Sequence, residues 1–469
     1  MLTYQDLEKV KETGNIDKLM NFVLSVKEEH ENSDLYKTAV LANEYDKQQN
    51  RTIKNLNKTI VNAVGAIVQD RWSPNHKMIS NFYNTFTEQR NQYLLSNGIS
   101  FSDEKTKNRL GKDIDDKLRK LGKKAMDGGV CFGFWNYDHL EVFPIYQSGD
   151  NNAIFAPLDD EMSGATRAGV RYWQIDTLKP LYATLYDEDG YITFKWESGK
   201  RGEIAEPKQG YKSTIKRSKN EGITSRVDEN YSTLPIFPLW ANDQHQSEIV
   251  GLQSKIDCYD IIVNSFANDV DTAQLYWIIH GAVGADQEDL LKFIDEIHTT
   301  HVAGMNEETT ADPVTIEPPS QSREILLTRI KNDMYEDFGA LNVGDIKAGN
   351  VTATQILAAY ERLDMKANGY EYQVLAFVNQ LLGFLGIDDK ATFTRSRIIN
   401  MTEMIQALSM SASWLSEDYI TRKLLELLGD GDKADNMIQE RTAEDLQRLE
   451  AVEDEDQEED KEESEESKE

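Results

Sequence analysis

The sequence predicts an α+β fold that is mainly helical, and three patterns support this prediction. Apolar residues between Leu252 and Val270 recur at alternating steps of four and three, which marks one face of a long helix. Residues 130–240 instead hold short segments rich in aromatic and β-branched residues, as half-buried antiparallel strands require. Helical periodicity then resumes at residue 326 and again at residue 353. We therefore expect a β-rich region followed by a series of long helices.

Length, charge and cysteine content narrow the possible functions. The 469 residues exceed what one hydrophobic core serves, so about two to four domains or subdomains are expected. The net charge of −31 repels nucleic acid on average and argues against tight, sequence-independent DNA binding, although local exceptions stay open. Cys131 and Cys258 form no disulfide or zinc motif and are expected to be core thiols in a reducing compartment. Without a signal peptide or a membrane-spanning run, a soluble intracellular protein with no membrane partner is expected.

The first 130 residues are predicted to be helical. Residues 1–50 carry a broken apolar stripe and resemble a peripheral arm. Asn97 and Gly98 form a turn signal, and a helix over residues 110–126 is expected to end at the glycines that follow it. A further helix is predicted from apolar residues at helical spacing, namely Ile53, Ile60, Val64, Ile67 and Val68.

Five strands are predicted in the β-rich region, at residues 131–137, 140–146, 169–175, 181–186 and 191–196. Residues 187–190 join the last two as a hairpin. Residues 195–219 are basic, and here a solvated edge hairpin is the favoured interpretation and a nucleic-acid contact the alternative. Residues 234–240 contain two prolines, which restricts them to an edge or crossing strand.

The long helices are interrupted twice. An insert over residues 276–320 holds a strand at 276–279, a short helix from Asp286 and a second strand at 314–316. A glycine- and asparagine-rich loop at residues 341–352 precedes the third long helix, in which Asn368 and Gly369 predict a kink. A strand at 392–397 and three short helices follow. Residues 450–469 contain thirteen acidic and two basic residues and are expected to be disordered.

No motif indicates catalysis, a cofactor or a metal. The chain lacks a GxxxxGK phosphate loop, a GxGxxG turn after a strand, an HExxH helix and a GxSxG elbow. His298 and His301 lie three residues apart, but no third ligand stands at metal spacing. A metal-dependent nuclease would need three or four convergent carboxylates. An enzyme is thus the weaker class of hypothesis.

The ordered series of segments resembles the portal proteins of tailed bacteriophages, of the type found in siphophages of Gram-positive bacteria. The resemblance covers roughly residues 40–445, and nothing comparable is found in the first 40 residues. It rests on YLLSNGISF at residues 93–101, LPIFPLW at 234–240 with IDCYD at 256–260, and GNVTA at 349–353. Each motif is weak by itself, whereas their order and spacing are more specific.

The resemblance implies a ring, usually of twelve copies, around a DNA channel at one capsid vertex. It divides the chain into an N-terminal arm and wing (1–240), stem helix 1 (241–275), a clip (276–322), stem helix 2 (323–340), a tunnel loop (341–352), a kinked wing helix and strand (353–398), a helical crown (399–449) and the acidic tail (450–469). The expected locations are the virion and, during assembly, the host cytoplasm.

The resemblance also implies partners and sites. The clip would bind the terminase large subunit and later the head-to-tail adaptor, and the wing would bind major capsid and scaffolding proteins. Partner-binding candidates in the clip are Glu288, Lys292, Glu296, His298 and His301. Tunnel-loop candidates for weak, non-specific contact with passing double-stranded DNA are Asn342, Gly344, Asp345, Lys347, Gly349 and Asn350.

Two alternatives stay open on the sequence. Lys347 is the one cation of the loop, and it either touches phosphates transiently or is simply a solvated lysine. The whole chain is either a portal protein or a non-viral helical scaffold that docks partners through its long helices. An α/β insert between two stem-like helices favours the portal interpretation.

Overall fold

The structure is a computed structural model, and it describes residues 2–61, 66–70, 73–149, 153–218, 222–272, 276–280, 310–314, 320–342, 353–396 and parts of 405–443. The chain divides into two units. One contains Met1–Val343 and Tyr360–Ser396, and the other Gly344–Ala359 and Arg397–Glu469. The described residues form an α+β fold, as predicted.

The elements up to residue 128 are mainly helical. They are α1 (Tyr4–Glu12), α2 (Ile16–Asn32), α3 (Asp34–Asp46), α4 (Arg51–Lys54), β1 (Thr59–Val61), β2 (Ile67–Gln69), α5 (Phe82–Leu95), β3 (Ile99–Phe101), α6 (Glu104–Leu110) and α7 (Ile114–Gly128). Gly98 has a φ of 74°, which fits the turn predicted there, and Gly129 ends α7 in the left-handed region with a φ of 83°.

Ten strands follow, and the five that the sequence predicts are among them. They are β4 (Val130–Asn136), β5 (His139–Pro144), β6 (Ile154–Asp159), β7 (Thr166–Trp173), β8 (Leu181–Asp187), β9 (Gly190–Trp196), β10 (Glu203–Gln209), β11 (Lys212–Ser218), β12 (Gly222–Glu229) and β13 (Ile236–Trp240). Strands β6 to β10 form one antiparallel sheet in chain order, and β13, β4 and β5 form another. β13 is an edge strand, as its prolines require.

The N-terminal helices are not a peripheral arm. Leu7, Val23 and Val26 are buried against apolar residues of the five-stranded sheet, among them Val170 and Phe194. α3 continues into the core between the two sheets and into a further cluster through Tyr45. The stripe is broken because it runs over separate helices, with breaks between Glu12 and Ile16 and between Asn32 and Asp34.

The helix predicted around residues 53–68 is wrong. α4 ends at Lys54, and β1 pairs with β2 as an antiparallel hairpin in the register Thr59↔Gln69 and Val61↔Ile67. The Thr, Ile and Val residues that fall at helical spacing also suit strands, because their branched side chains fit a pleated surface. Periodicity alone cannot separate the two structures over so short a run.

The first two long helices, Gln253–Thr272 and Ser320–Phe338, run antiparallel. Lys255 pairs with Asp337 at one end, and Arg323 Nη2 lies 2.5 Å from Asp269 Oδ2 at the other. The predicted stripe is buried only at Leu252 and Ile256 among its described members. Its last residue, Val270, is 49% exposed, whereas Asp260, Asn264 and Asn268 are buried on the same helix.

The described part of the insert is a hairpin. β14 (Tyr276–His280) pairs with β15 (Thr310–Val314). The second strand therefore begins four residues before the predicted start at residue 314. Residues 281–309 and 315–319, with the predicted short helix, lie outside the described residues.

The third long helix, Ala353–Leu385, is continuous through Asn368 and Gly369. Tyr370, Val374, Phe377 and Leu381 are buried in a core with α7 and β4. The strand β16 (Ala391–Phe393) then pairs with β3. The second unit contains a helix, Glu417–Leu428, tied by Arg441 Nη2 to Glu417 Oε2 at 2.8 Å.

The two cysteines differ. Cys131 is buried as predicted, but Cys258 is exposed on the first long helix, so the expectation of two core thiols is wrong for it. Within the ranges that the structure describes, no helix combines the length and apolarity needed to cross a membrane.

Candidate functional site at the root of the loop

The second long helix ends in a fixed geometry immediately before the loop of residues 341–352. Gly339 has a φ of 71°, its amide donates to Glu336 O at 3.2 Å, and the Ala340 amide donates to Tyr335 O at 2.9 Å. This pair of bonds is a Schellman motif, in which glycine adopts the left-handed conformation without a Cβ penalty. The direction in which the chain leaves the helix is therefore set by local hydrogen bonds.

Helix α5 holds this exit point with two neighbouring side chains. Gln89 Nε2 donates to Leu341 O at 2.9 Å, and Leu341 N donates to Gln89 Oε1 at 2.8 Å. Arg90 Nη2 donates to Phe338 O at 2.9 Å, and the guanidinium stacks 3.9 Å from the centre of the Phe338 ring. The Gln89 amide thus pairs with the backbone of Leu341 as a neighbouring strand would.

The charge of Arg90 is paired inside the protein. Arg90 Nη1 lies 2.9 Å from Glu248 Oε1, and the two side chains are only 4% and 13% exposed. Asn242 Nδ2 also donates to Glu248 Oε1, at 3.0 Å. Because a buried charge is costly without its partner, this pair fixes the segment that leads into the first long helix against the end of the second.

The same α5 also holds the third long helix. Tyr370 Oη donates to Asn91 Oδ1 at 3.0 Å, and Asn91 Nδ2 donates to Arg119 O at 2.8 Å. Tyr93 Oη donates to Asp364 Oδ1 at 2.7 Å, and its ring stacks on Tyr360. Four residues of α5, from Gln89 to Tyr93, therefore anchor the helices that precede and follow the loop.

A buried polar network seats α5 on its neighbours. Lys123 of α7 donates to Thr87 Oγ1 at 2.6 Å and pairs with Asp46 of α3. Asp127 accepts from Tyr146 Oη at 2.7 Å and from Tyr83 Oη at 3.2 Å. Burial raises the pKa of the Asp127 carboxyl, and the Lys123 ammonium opposes this shift. The network joins three helices through directional bonds, which restrains α5 more than apolar contact alone.

The first long helix holds an extended segment through a polar ladder. Asp260 Oδ1 accepts from Ser80 N at 3.1 Å, and Asn268 Oδ1 accepts from His76 N at 2.9 Å. Between them, Asn264 accepts from Met78 N at 2.6 Å and donates to Met78 O at 2.8 Å. Burial raises the pKa of Asp260 to about 6 from 3.8. The buried face of this helix is thus polar, because its side chains form hydrogen bonds with the backbone of residues 76–80.

The site residues predicted from the sequence lie almost wholly outside the described part of the chain. Of the loop candidates, only Asn342 is described, next to the clamped Leu341. The other loop candidates are outside it, namely Gly344, Asp345, Lys347, Gly349 and Asn350. The clip candidates are outside it as well, namely Glu288, Lys292, Glu296, His298 and His301. Among the residues described, no three His, Cys, Asp or Glu side chains are grouped as a metal ion would need.

The sequence analysis missed the anchors Gln89, Arg90 and Glu248. One signal was available: Tyr83, Phe86, Arg90 and Leu94 follow helical spacing, so the stripe places an arginine on the buried face of α5. A cation at such a position needs an internal acceptor or a carboxylate. Its partners are far apart in the sequence, at 248 and 338, and only the fold brings them together.

Comparison with known proteins gives a family. The model described as "Phage portal protein, SPP1 Gp6-like" matches residues 24–469. The portal protein of Clostridium phage phiCD119 is 22% identical over 410 residues, which are 78% of this chain and 86% of that protein. The portal protein of Bacillus phage SPP1 is 23% identical over 392 residues, covering 76% and 74%.

Solved structures of gene transfer agent particles are also similar. The virion of the native particle contains a chain that is 12% identical with a TM-score of 0.38, covering 73% of this chain and 87% of that one. A chain in the neck of the empty particle has a TM-score of 0.37 at the same identity and coverage. The family match confirms the resemblance inferred from the sequence: the chain belongs to the phage portal protein family, SPP1 Gp6-like.

Proposed function

We propose that twelve copies of the chain form a closed ring at one capsid vertex, which serves as the channel for DNA packaging and ejection. The observation that carries this proposal is the antiparallel pair of long helices, rooted at one end in the core around Tyr83 and Phe86 and joined at the other by the insert. In the ring, the pair would form the stem. Residues 276–322 would form the clip, and residues 1–240 with the third helix the wing.

Exposed apolar side chains of the second unit support assembly. Met410 and Trp414 are 82% and 87% exposed in the isolated chain, and Tyr419 and Met437 are about half exposed. Large exposed apolar groups in one region mark contact surfaces. In the proposed ring, residues 399–449 form the crown, and neighbouring copies cover these side chains.

The anchored root suits a loop that faces the channel. Gln89 and Arg90 fix the chain at Phe338 and Leu341, so the loop would start from a defined position in every copy. Its residues Asn342, Gly344, Asp345, Lys347, Gly349 and Asn350 would line the channel, where Lys347 would touch DNA phosphates briefly. An acidic chain keeps such contacts few, which lets DNA slide in both directions.

The remaining surfaces would bind the partners of packaging and assembly. Glu288, Lys292, Glu296, His298 and His301 of the clip would contact the terminase large subunit and then the head-to-tail adaptor. The wing would contact major capsid and scaffolding proteins. The role is structural, with no catalytic step and no cofactor, and the protein would reach the virion after assembly in the host cytoplasm.

The native mass of the purified chain, with electron-microscope class averages, tests the ring. A closed ring of about twelve 53.5 kDa chains around a hole is expected. A chain that stays monomeric even when mixed with its capsid and scaffolding proteins contradicts the proposal.

The role of the loop is tested separately. Lys347→Glu should shorten or destabilise the packaged DNA while rings still form. Lys9→Glu, at a 71% exposed lysine of α1, is the matched control. If the Lys347→Glu variant packages DNA of the same length as the control, Lys347 is simply a solvated lysine of the loop and does not contact DNA.

A further inference from the structure

Helix α6 is a short helix that is fixed on its inner side. Lys105 N donates to Asp103 Oδ1 at 2.9 Å at its start, and Thr106 Oγ1 donates to Asp389 Oδ2 at 2.6 Å. Thr106 and Leu110 are buried, and Leu110 belongs to the core that α7 and the third long helix share. The outer face of α6 is therefore held at a defined place on the surface.

Three cations lie on this outer face or directly after it. Lys105 and Arg109 are exposed and four residues apart, so they lie on the same side of the helix, and exposed Lys112 follows its end. Among the side chains that the structure describes, which exclude that of Glu104, no carboxylate pairs with any of the three. The carboxylates at the start of α7 have other partners, in the pairs Lys107–Asp115, Lys117–Asp113 and Lys120–Asp116. Lys105, Arg109 and Lys112 are called the α6 cations below.

This arrangement is unfavourable for the chain by itself. Like charges four residues apart destabilise a helix, and an acidic residue between or beside them would relieve the repulsion. The chain has 82 acidic and only 51 basic residues, so carboxylates are abundant in it. Lys105 and Arg109 nevertheless share one face of α6 without a described partner, which indicates a carboxylate supplied from elsewhere.

The sequence contains a segment of the opposite charge. Residues 450–469 hold thirteen acidic and two basic residues, which gives a net charge of −11. Ala451 and Val452 are the only apolar residues of this segment, so its composition predicts no core of its own and carboxylates that stay in water. Residues 450–469 are called the acidic run below.

We propose that the α6 cations bind the acidic run of a second copy of the chain. Charge complementarity points to the run, because three cations without described partners match a segment in which thirteen of twenty residues are acidic. Single ion pairs between exposed side chains are weak, but many carboxylates can exchange at the same three cations, so the contact needs no fixed structure of the run. The choice of a second copy over the same copy rests on the proposed function, in which copies are neighbours.

Cross-linking of the full chain with a carbodiimide tests the contact, because this reagent joins a lysine amine to a carboxylate that touches it. Isotope-labelled and unlabelled chains are mixed in equal amounts before they associate, then cross-linked and digested for mass spectrometry. We expect peptides that join Lys105 or Lys112 to the acidic run, with labelled–unlabelled pairs as frequent as pairs of one kind. These links should be lost at about 1 M salt, where the screening length is about 3 Å.

A variant that keeps both reactive lysines tests the role of charge. Arg109→Glu should reduce the links of Lys105 and Lys112 to the acidic run at least about threefold. The matched control is Arg201→Glu, at a 76% exposed arginine, and it should leave the links unchanged. Lys9 and Lys200 are the internal controls, since they are 71% and 72% exposed but already pair with Asp6 and Glu197.

Three results would overturn the proposal. The acidic run forms no more links with Lys105 and Lys112 than with Lys9 and Lys200, or the links persist unchanged in Arg109→Glu. Links confined to chains of one isotope would assign the run to its own copy and exclude a second one.

The native mass of the same preparations separates this result from the proposed ring. Closed rings without these links would refute this inference alone. Links between copies in a sample without closed rings would leave the contact standing and refute the ring.

Discussion

Replacing Arg90 by methionine tests whether α5 anchors the loop. The substitution removes the ion pair with Glu248 and the bond to Phe338 O, both at 2.9 Å, while a thioether can still pack on the Phe338 ring. Breaking a buried pair leaves the other charge uncompensated, and Glu248 is only 13% exposed. We expect a loss of about 3–5 kcal/mol in the free energy of unfolding.

The assay is urea unfolding of four proteins: wild type, Arg90→Met, Glu248→Gln and the double variant. Because the double variant leaves no buried charge alone, it should be less destabilised than the sum of the single variants by about 2 kcal/mol or more. Hydrogen exchange at Leu341, whose amide donates to Gln89, reports the root directly and should quicken in Arg90→Met. A single variant within 1 kcal/mol of wild type, or additive losses, would refute the anchoring argument.

Three further predictions follow from the described contacts. Asn264→Ala removes both hydrogen bonds to Met78, so it should cost about 2–4 kcal/mol and speed hydrogen exchange at Met78, whereas unchanged exchange would show that the ladder is not needed. Folding raises the pKa of Asp260 from 3.8 to about 6, so the folded state binds this proton more tightly than the unfolded state does. About 3 kcal/mol of stability should therefore be present below pH 4 and lost as the pH rises through 6. Asp260→Asn should remove that part of the slope in urea midpoints measured from pH 4 to 7, and an equal slope in both proteins would contradict it. A maleimide should label exposed Cys258 in the folded chain but not buried Cys131, whose pKa burial raises, and Cys258→Ser should abolish the label.

The sequence predicts secondary-structure elements well where a local pattern of residues is enough to decide the structure. Five of the six strands between residues 130 and 196 and the end of α7 at Gly129 have strong local signals, namely aromatic alternation and a glycine stop. The helix expected at residues 53–68 fails because apolar spacing over so short a run does not separate helix from strand, and the consecutive branched residues Thr59, Ile60 and Val61 favour a strand. Within residues 130–240, the first strand that the sequence analysis missed is β6, because its Ala and Pro residues interrupt the pattern of aromatic and β-branched residues.

The candidate site is less predictable because its bonds join distant parts of the chain. Gln89 binds Leu341, and Arg90 binds Phe338 and Glu248, across separations that no local pattern encodes. The glycines and asparagines of residues 341–352 predict the position of the loop, whereas no pattern in the sequence identifies its anchors. A polar residue on an otherwise apolar stripe, as at Arg90, is the one local clue, and it indicates burial without naming the partner.

The polar ladder shows why the first long helix departs from its apolar stripe. Alternate residues of an extended chain lie about 6.8 Å apart, and four helical residues rise about 6 Å, so side chains at 260, 264 and 268 can meet the backbone at 80, 78 and 76 in turn. The mismatch of about 0.8 Å per step limits such a ladder to a few rungs. A fourth rung would set Thr272 against Pro74, which has no amide hydrogen to donate. In the other direction, the helix offers Ile256, and the chain at Phe82 has already entered α5. The ladder therefore has defined ends, and it sets the distance between the first long helix and the start of α5, the helix that anchors the loop.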